Sequence, residues 1–146
     1  MRVLRNIGQL ATCRAEGGQG AIHVIPQAAL VWQDDTILWC GPELELPLVH
    51  ETAESEDAHG RLVVPGLVDC HTHLAFGGWR ADEFERRLAG ESYLDIAQAG
   101  GGIASTVRAT RAASEEELFG RARAMLAEMR ALGVTTVECK SGYGLD

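Results

Sequence analysis

The residues best suited to chemistry are two histidines, His71 and His73, which follow an apolar run at residues 62–68. Successive side chains of a β-strand point to opposite faces, so histidines two residues apart point the same way. Two such imidazoles can bind one metal ion, with nitrogen–metal distances of about 2.0–2.1 Å for zinc. The alternative is that the histidines only satisfy local hydrogen bonds. The preceding strand and the following glycine-rich loop favour metal binding.

Two ligands do not complete a catalytic zinc site, which needs three protein ligands and an open position. The other histidines, His23, His50 and His59, precede the apolar run and are predicted to be surface residues. The sequence therefore predicts only part of a metal site. No catalytic acid or base is assigned, and such residues are expected downstream of this chain.

Short apolar segments separated by turns predict a β-rich first domain over residues 1–62. The predicted strands cover residues 21–25, 28–32 and 36–40, with a hairpin turn at Asp34-Asp35. An acidic connection over residues 43–60 is expected to contain one short edge strand.

The second domain, residues 63–146, is predicted to begin with a strand that is buried on both faces. Pro65 cannot donate to a strand ladder, so regular pairing is expected only from Leu67. Helices are predicted at residues 82–88, 92–99 and 114–132, the last opened by a capping box of Ser114 and Glu117. A strand at residues 134–139 then completes a βαβ pattern, which predicts parallel pairing.

Several sequence blocks resemble a known family. The string PGLVDCHTH at residues 65–73 resembles the first-strand signature of the amidohydrolase superfamily. Four further blocks narrow the resemblance to the imidazolonepropionases: FGGWR at 76–80, AGGGI at 99–103, STVRATR at 105–111 and KSGYGL at 140–145. Enzymes of this family hydrolyse a cyclic amide C–N bond in histidine degradation, converting 4-imidazolone-5-propanoate to N-formimidoyl-L-glutamate.

The resemblance implies an α/β fold. The chain would form the incomplete N-terminal part of a (β/α)8 TIM-like amidohydrolase barrel, with part of a small β-sandwich domain. It also implies one divalent or trivalent metal ion, zinc or iron, held by His71, His73 and later residues that this chain lacks. The chain alone is therefore expected to be inactive, and full-length relatives are expected to be homodimers.

Three residues are candidates for substrate binding. The resemblance implies that Arg80 binds the substrate carboxylate, since a guanidinium donates two parallel hydrogen bonds to such a group. The alternative is a solvated arginine beside Asp82 and Glu83. Tyr143, between two glycines, is expected to cover the substrate, with simple packing as the alternative. Tyr93 is also a candidate, although core packing explains it equally well.

The glycines at residues 100–102 follow a predicted helix rather than a strand, so they lack the context of a phosphate-binding loop. They are expected to give the backbone flexibility near the site. Lys140 is not expected to bridge two metals, because the family resembled is mononuclear.

Charge and composition exclude other classes of protein. The formal net charge of -8 argues against nucleic acid or an anionic membrane as a partner. No apolar run approaches the roughly 18 residues of a membrane span, and no signal peptide is recognised. Four widely spaced cysteines are expected to be thiols in a reducing cytoplasm.

The expected partner is a small molecule with a carboxylate. Two alternatives stay open. One is another amidohydrolase, acting like a hydantoinase, a dihydropyrimidinase or an aminohydrolase (deaminase), and the other is a non-catalytic remnant.

Overall fold

The computed structural model describes residues 1–18 and 20–144. The chain divides into two compact units, Met1–Pro65 and Gly66–Asp146. Gln19 of the first predicted domain, and Leu145 and Asp146 at the end of the second, lie outside the described residues.

The first unit is built on a five-stranded sheet. Its strands are β1 (Arg2–Ala11), β2 (Val24–Gln33), β3 (Thr36–Pro42), β4 (Glu54–Asp57) and β5 (Leu62–Val63). The order is β3-β2-β1-β4, with β5 also paired to β1. Strands β4 and β5 run parallel to β1, whereas β2 is antiparallel to both β1 and β3. The edge strand expected in the acidic connection is β4.

Two details of this sheet differ from the sequence prediction. The end of the strand predicted at residues 21–25 and the whole of that predicted at 28–32 belong to one strand, β2, whereas residues 21–23 precede it. Pro26 lies opposite Gln9 without ending the ladder. Strand β1 was not predicted, because polar residues interrupt its apolar pattern. The register shifts between Leu4 and Ile7, where Asn6 has a φ of 54°. The Asn6 N–H donates to Glu43 Oε2 at 2.7 Å, so the bulge does not leave this donor unpaired.

The core of the first unit lies on both faces of the sheet. Ala28 and Ala29 are consecutive strand residues and so face opposite ways. Ala28 packs with Ile7, Leu10 and Ala58, whereas Ala29 belongs to a second cluster. That second cluster consists of Val3, Ala29 and Val31, with Trp39, Leu46 and Ala53 against it.

Two histidines of this unit, His23 and His59, have different environments. His23 is half-buried, and its Nδ1 atom is enclosed without a hydrogen-bond partner among the described residues, so its predicted surface position is only partly right. The His59 backbone N–H donates to Asp57 at 2.7 Å, and Asn6 donates to the same oxygen at 2.8 Å. These two bonds hold the pKa of Asp57 below its ordinary value.

The described residues of the second unit form two strands and four helices. They are β6 (Leu67–Thr72), α1 (Ala81–Leu88), α2 (Tyr93–Gln98), α3 (Ile103–Ala112), α4 (Glu115–Ala131) and β7 (Val134–Cys139). Strands β6 and β7 pair in parallel, from Leu67 opposite Val134 to Thr72 opposite Cys139. The predicted βαβ pairing and the predicted strand start at Leu67 are therefore confirmed.

Three of the four helices were predicted to within two residues at each end. The Ser114 capping box is present, since Ser114 N–H donates to Glu117 Oε2 at 2.8 Å and Glu117 N–H donates to Ser114 Oγ at 3.2 Å. Helix α3 was not predicted. The glycines at residues 100–102 therefore not only follow a helix but also open one, since Gly102 is the N-cap of α3.

The expectation that the first strand of this unit is buried on both faces is wrong for the described residues. Leu67 and Val68 of β6 are 50% and 66% exposed. Within the described part of the chain, α4 packs against β7 and leaves these apolar side chains accessible. Among the described residues, no helix is long and apolar enough to cross a membrane.

Candidate metal and substrate site

The end of strand β6 holds the two candidate metal ligands close together. Thr72 Oγ1 donates to the Glu138 carbonyl at 2.9 Å, and Lys140 N–H donates to the Thr72 carbonyl at 2.8 Å. These bonds fix the residue between the two histidines to β7. The imidazole ring centroids of His71 and His73 lie 5.6 Å apart in an edge-to-face arrangement.

His73 is enclosed by the loop that follows β7. A Cβ atom added to Gly142 would lie only 2.7 Å from His73 Nδ1, so no side chain fits there without displacing the imidazole. Tyr143, the next residue, has a φ of 36°, which residues other than glycine rarely adopt. Its ring centroid lies 5.0 Å from that of His73. Such strain is often retained where a side chain must be aimed at a functional site.

A cleft of about 480 Å³ adjoins His73. It is lined by His73, Phe76, Gly78, Trp79, Arg80, Ala81, Thr106 and Tyr143. The structure thus brings three of the five candidate site residues to one cavity: a metal-ligand candidate and two substrate-binding candidates. His71 lies beside it, through its contact with His73.

Tyr93 is not among the residues that line the cleft. It is 54% exposed on helix α2, and its hydroxyl oxygen would lie 3.5 Å from a Cβ added to Gly102. Tyr93 therefore lies beside the glycine segment at residues 100–102, and its role in substrate binding stays a prediction.

Aromatic rings form one wall of the cleft. The Phe76 ring lies edge-to-face with Trp79 at 5.2 Å and with Tyr143 at 5.9 Å. Rings in this arrangement attract each other and present flat apolar surfaces. This wall suits a planar ring, and neither Phe76 nor Trp79 had been given a role from the sequence.

Arg80 immediately precedes helix α1. Its Nη1 atom lies 3.8 Å from Glu83 Oε2, with side chains 37% and 12% exposed. That separation exceeds a hydrogen bond, so Glu83 does not occupy the Nη1 donors of Arg80. At the cleft, Arg80 is a positive group suited to a carboxylate.

The loop between His73 and Arg80 is fixed to helix α3. Gly77 N–H donates to Thr110 Oγ1 at 2.9 Å, and Thr110 Oγ1 donates to the Thr106 carbonyl at 2.7 Å. A Cβ added to Gly77 would lie 2.4 Å from the Ala109 carbonyl oxygen, so the close approach requires glycine. Thr106, buried and lining the cleft, lies in the block at residues 105–111 that carries the resemblance, but no role was assigned to it from the sequence.

The fit of a metal rests on the two histidines. The Nδ1 atom of His73 is buried without a hydrogen-bond partner among the described residues, although buried polar atoms are normally paired. Imidazole is a ligand type that suits zinc and iron. Within residues 1–18 and 20–144, no group of three or more His, Cys, Asp or Glu residues is arranged to hold a metal ion. His71 and His73 thus fit as part of a ligand set and do not make a whole one.

Comparison with solved structures defines the class of fold. The chain resembles atrazine chlorohydrolase from Arthrobacter aurescens TC1, solved with zinc, with a TM-score of 0.54 and 19% identity over 94% of this chain and 28% of that one. It also resembles a triazine hydrolase from Arthrobacter aurescens, with a TM-score of 0.55 and 18% identity over 93% of this chain and 27% of that chain. The chain therefore shares the mixed α/β fold of the matched parts of these two structures.

Sequence comparison is more specific. The chain is 58% identical to imidazolonepropionase from Cupriavidus necator over 84% of its own length and 30% of the relative's. It is 54% identical to imidazolonepropionase from Acidiphilium cryptum over 99% of its length and 35% of the relative's. No family model matches the chain. The similarity to imidazolonepropionases is confirmed, and the chain spans about a third of the length of these curated relatives.

Proposed function

We propose that this chain forms part of a metal-dependent hydrolase that opens the ring of 4-imidazolone-5-propanoate with water, giving N-formimidoyl-L-glutamate. The observation that carries the proposal is the shared cleft, because one cavity is lined by the imidazole of His73 and by the guanidinium of Arg80. The substrate has matching parts, namely a flat ring with a scissile amide and a carboxylate tail. The two relatives from Cupriavidus necator and Acidiphilium cryptum are named imidazolonepropionase, which supports this choice of substrate.

The metal would be held by His71 and His73, together with ligands from outside the described residues. Zinc or iron bound there supplies an activated water for attack on a carbonyl at neutral pH. Gly142 allows the His73 imidazole to occupy its position, and the Tyr143 ring lies against it. The chain would thus contribute two members of the ligand set, His71 and His73.

The substrate would be held by the other residues of the cleft. Arg80 binds the propanoate through two parallel N–H donors, which fixes the direction of the ligand as well as its charge. Tyr143 covers the ring and offers a hydroxyl to its polar edge, while Phe76 and Trp79 exclude water from its face. This arrangement would place the ring carbonyl near the two histidines.

The larger architecture is part of the proposal. The parallel pair β6-β7 with α1–α4 would be the first portion of a (β/α)8 barrel, and the five-stranded sheet would be part of a β-sandwich. The corresponding domains are residues 1–62 and 63–146. We place the complete enzyme in the cytoplasm as a homodimer.

The proposal is tested in a hybrid enzyme, in which this chain replaces the matched 145-residue stretch of the Acidiphilium cryptum relative. Replacing Arg80 with alanine should lower kcat/KM for 4-imidazolone-5-propanoate by roughly 10- to 100-fold, because hydrogen bonds between charged groups contribute about 1.5–3 kcal/mol. Arg80→Lys should recover only part of the loss, since an ammonium lacks the planar fork.

The matched control is Arg87→Ala, which removes an exposed arginine from the same helix. It should leave kcat/KM unchanged. A hybrid that hydrolyses a neutral hydantoin or dihydropyrimidine, and whose activity is insensitive to Arg80→Ala, would contradict the proposed substrate and support another amidohydrolase.

A further inference from the structure

We infer that Glu83 is a positioning residue that orients the Arg80 guanidinium towards the cleft. The inference rests on the proposed role of Arg80 in binding the substrate carboxylate. Glu83 is the third residue of α1, and only 12% of its side chain is exposed. A carboxylate so nearly buried needs polar partners.

The sequence position explains why this carboxylate turns away from its own helix. A glutamate at the third helical position often closes a capping box with a serine or threonine N-cap. Here the N-cap is Arg80, which has no side-chain oxygen and makes no side-chain capping bond. Glu83 instead accepts a hydrogen bond from Gly102 N–H at 2.8 Å.

The glycine segment at residues 100–102 is shaped around this contact. A Cβ added to Gly101 would lie 2.8 Å from Glu83 Oε1 and 2.7 Å from Ile96 Cγ2, so a larger residue would push the carboxylate away. Gly102 is the N-cap of α3 and has a φ of 71°. The positive end of the α3 dipole therefore lies beside the carboxylate and stabilises its charge.

The second carboxylate oxygen is the one that faces Arg80. Because Oε1 is bonded to the backbone, Oε2 is held as a fixed negative charge 3.8 Å from Arg80 Nη1. At this separation it attracts the guanidinium without occupying its hydrogen-bond donors. Asp82, the neighbouring acidic residue, is exposed, and it makes no equivalent contact with any of the described residues.

Glu83 also joins two walls of the cleft. It connects the start of α1, which carries Arg80, to the start of α3, which carries Thr106. The separation of these two helix starts, and so of Arg80 and Thr106, is therefore set in part by one side chain.

The test uses Glu83→Gln in the hybrid enzyme, with Glu85→Gln as the control. Glutamine keeps the size and an oxygen acceptor for Gly102 N–H, but it removes the charge that faces Arg80. Glu85 is exposed on the same helix. We expect the KM for 4-imidazolone-5-propanoate to rise roughly fivefold in Glu83→Gln, the size of effect usual for a partly exposed ion pair, with kcat changed less than about twofold. The control should match the parent enzyme in both constants.

A second readout does not depend on turnover. Phenylglyoxal modifies accessible guanidinium groups, and its rate at Arg80 is measured by mass spectrometry of the peptide. We expect this rate to rise severalfold in Glu83→Gln and to stay unchanged in Glu85→Gln. A folded hybrid that never opens the ring would contradict the proposed function. The rate of Arg80 modification would still show whether Glu83 orients the guanidinium. An unchanged modification rate, or a KM that stays constant or falls in an active hybrid, would overturn the inference.

Discussion

Gly142 determines the position of a candidate metal ligand without contributing a ligand atom itself. Its missing side chain leaves room for the His73 imidazole, whose Nδ1 would otherwise lie 2.7 Å from a Cβ atom. The following residue, Tyr143, lies against the same imidazole. A metal-binding pair at the end of one strand thus depends on the loop after the next strand.

Gly142→Ala should therefore weaken metal binding by the hybrid enzyme by about 10- to 100-fold, the usual effect of disturbing the support of a ligand. The measurement is zinc retained per protein after dialysis against a graded series of chelator concentrations. Gly144→Ala is the control, because among the described residues a Cβ there meets only the Gly142 carbonyl oxygen, at an ordinary 3.6 Å. Equal zinc retention by the two variants would show that Gly142 does not position His73.

The side chains identified from the sequence are those with chemistry in their own type and spacing. His71 and His73 followed from strand alternation, and the resemblance added Arg80 and Tyr143. Glu83 and Thr106 could not be identified, because their contacts join segments that are distant along the chain. One indication for Glu83 was available in the sequence. It occupies the glutamate position of a capping box, but the N-cap three residues earlier is Arg80, which cannot complete the box.

At the scale of elements, helix α4 was the most predictable part of the chain, because its start is encoded locally by Ser114 and Glu117. Helix α3 was missed for the opposite reason. Its sequence is rich in β-branched residues and has no side-chain cap, so its stability comes from contacts such as the Gly77–Thr110 hydrogen bond. Local patterns predict the first kind of helix better than the second.

The capping box makes a pH prediction for α4. The Ser114 backbone N–H and then its hydroxyl hold the pKa of Glu117 below its ordinary value of 4.5. A lowered folded-state pKa contributes stability that is present above the ordinary value and is lost as the pH falls through the folded-state value. Glu117→Gln should therefore lower the free energy of unfolding at pH 7. It should also reduce the further decrease in that free energy as the pH falls below about 4.5.

Urea unfolding of the hybrid at pH 7 and at about pH 3.5 measures both effects. Glu116→Gln is the matched control, since it removes a carboxylate from the same first turn but outside the box. If the free energy of unfolding has the same pH dependence in both variants, the capping box does not account for the loss of stability in acid.

At the scale of the whole molecule, the chain spans about a third of the length of its imidazolonepropionase relatives. Large apolar side chains are exposed on the second unit, including Leu67 at 50%, Val68 at 66% and Leu132 at 78%. Exposed apolar strands favour association. The sequence predicted these strands and their parallel order, but the burial expected of β6 is not seen among the described residues.

The 146-residue chain expressed alone should therefore bind the dye ANS and self-associate, whereas the hybrid should do neither. Fluorescence titration and analytical ultracentrifugation provide the comparison. A chain that is monomeric, cooperatively folded and free of ANS binding would show that its apolar surface needs no further cover.

The most direct test of the central claim is ring opening of 4-imidazolone-5-propanoate by the hybrid enzyme, with and without a chelator. The proposed function predicts turnover to N-formimidoyl-L-glutamate that is abolished by the chelator and restored by zinc or iron. It also predicts no restored turnover when His71 and His73 are both replaced by alanine. A folded, metal-loaded hybrid that leaves the ring intact, or one whose turnover persists in chelator, would contradict it.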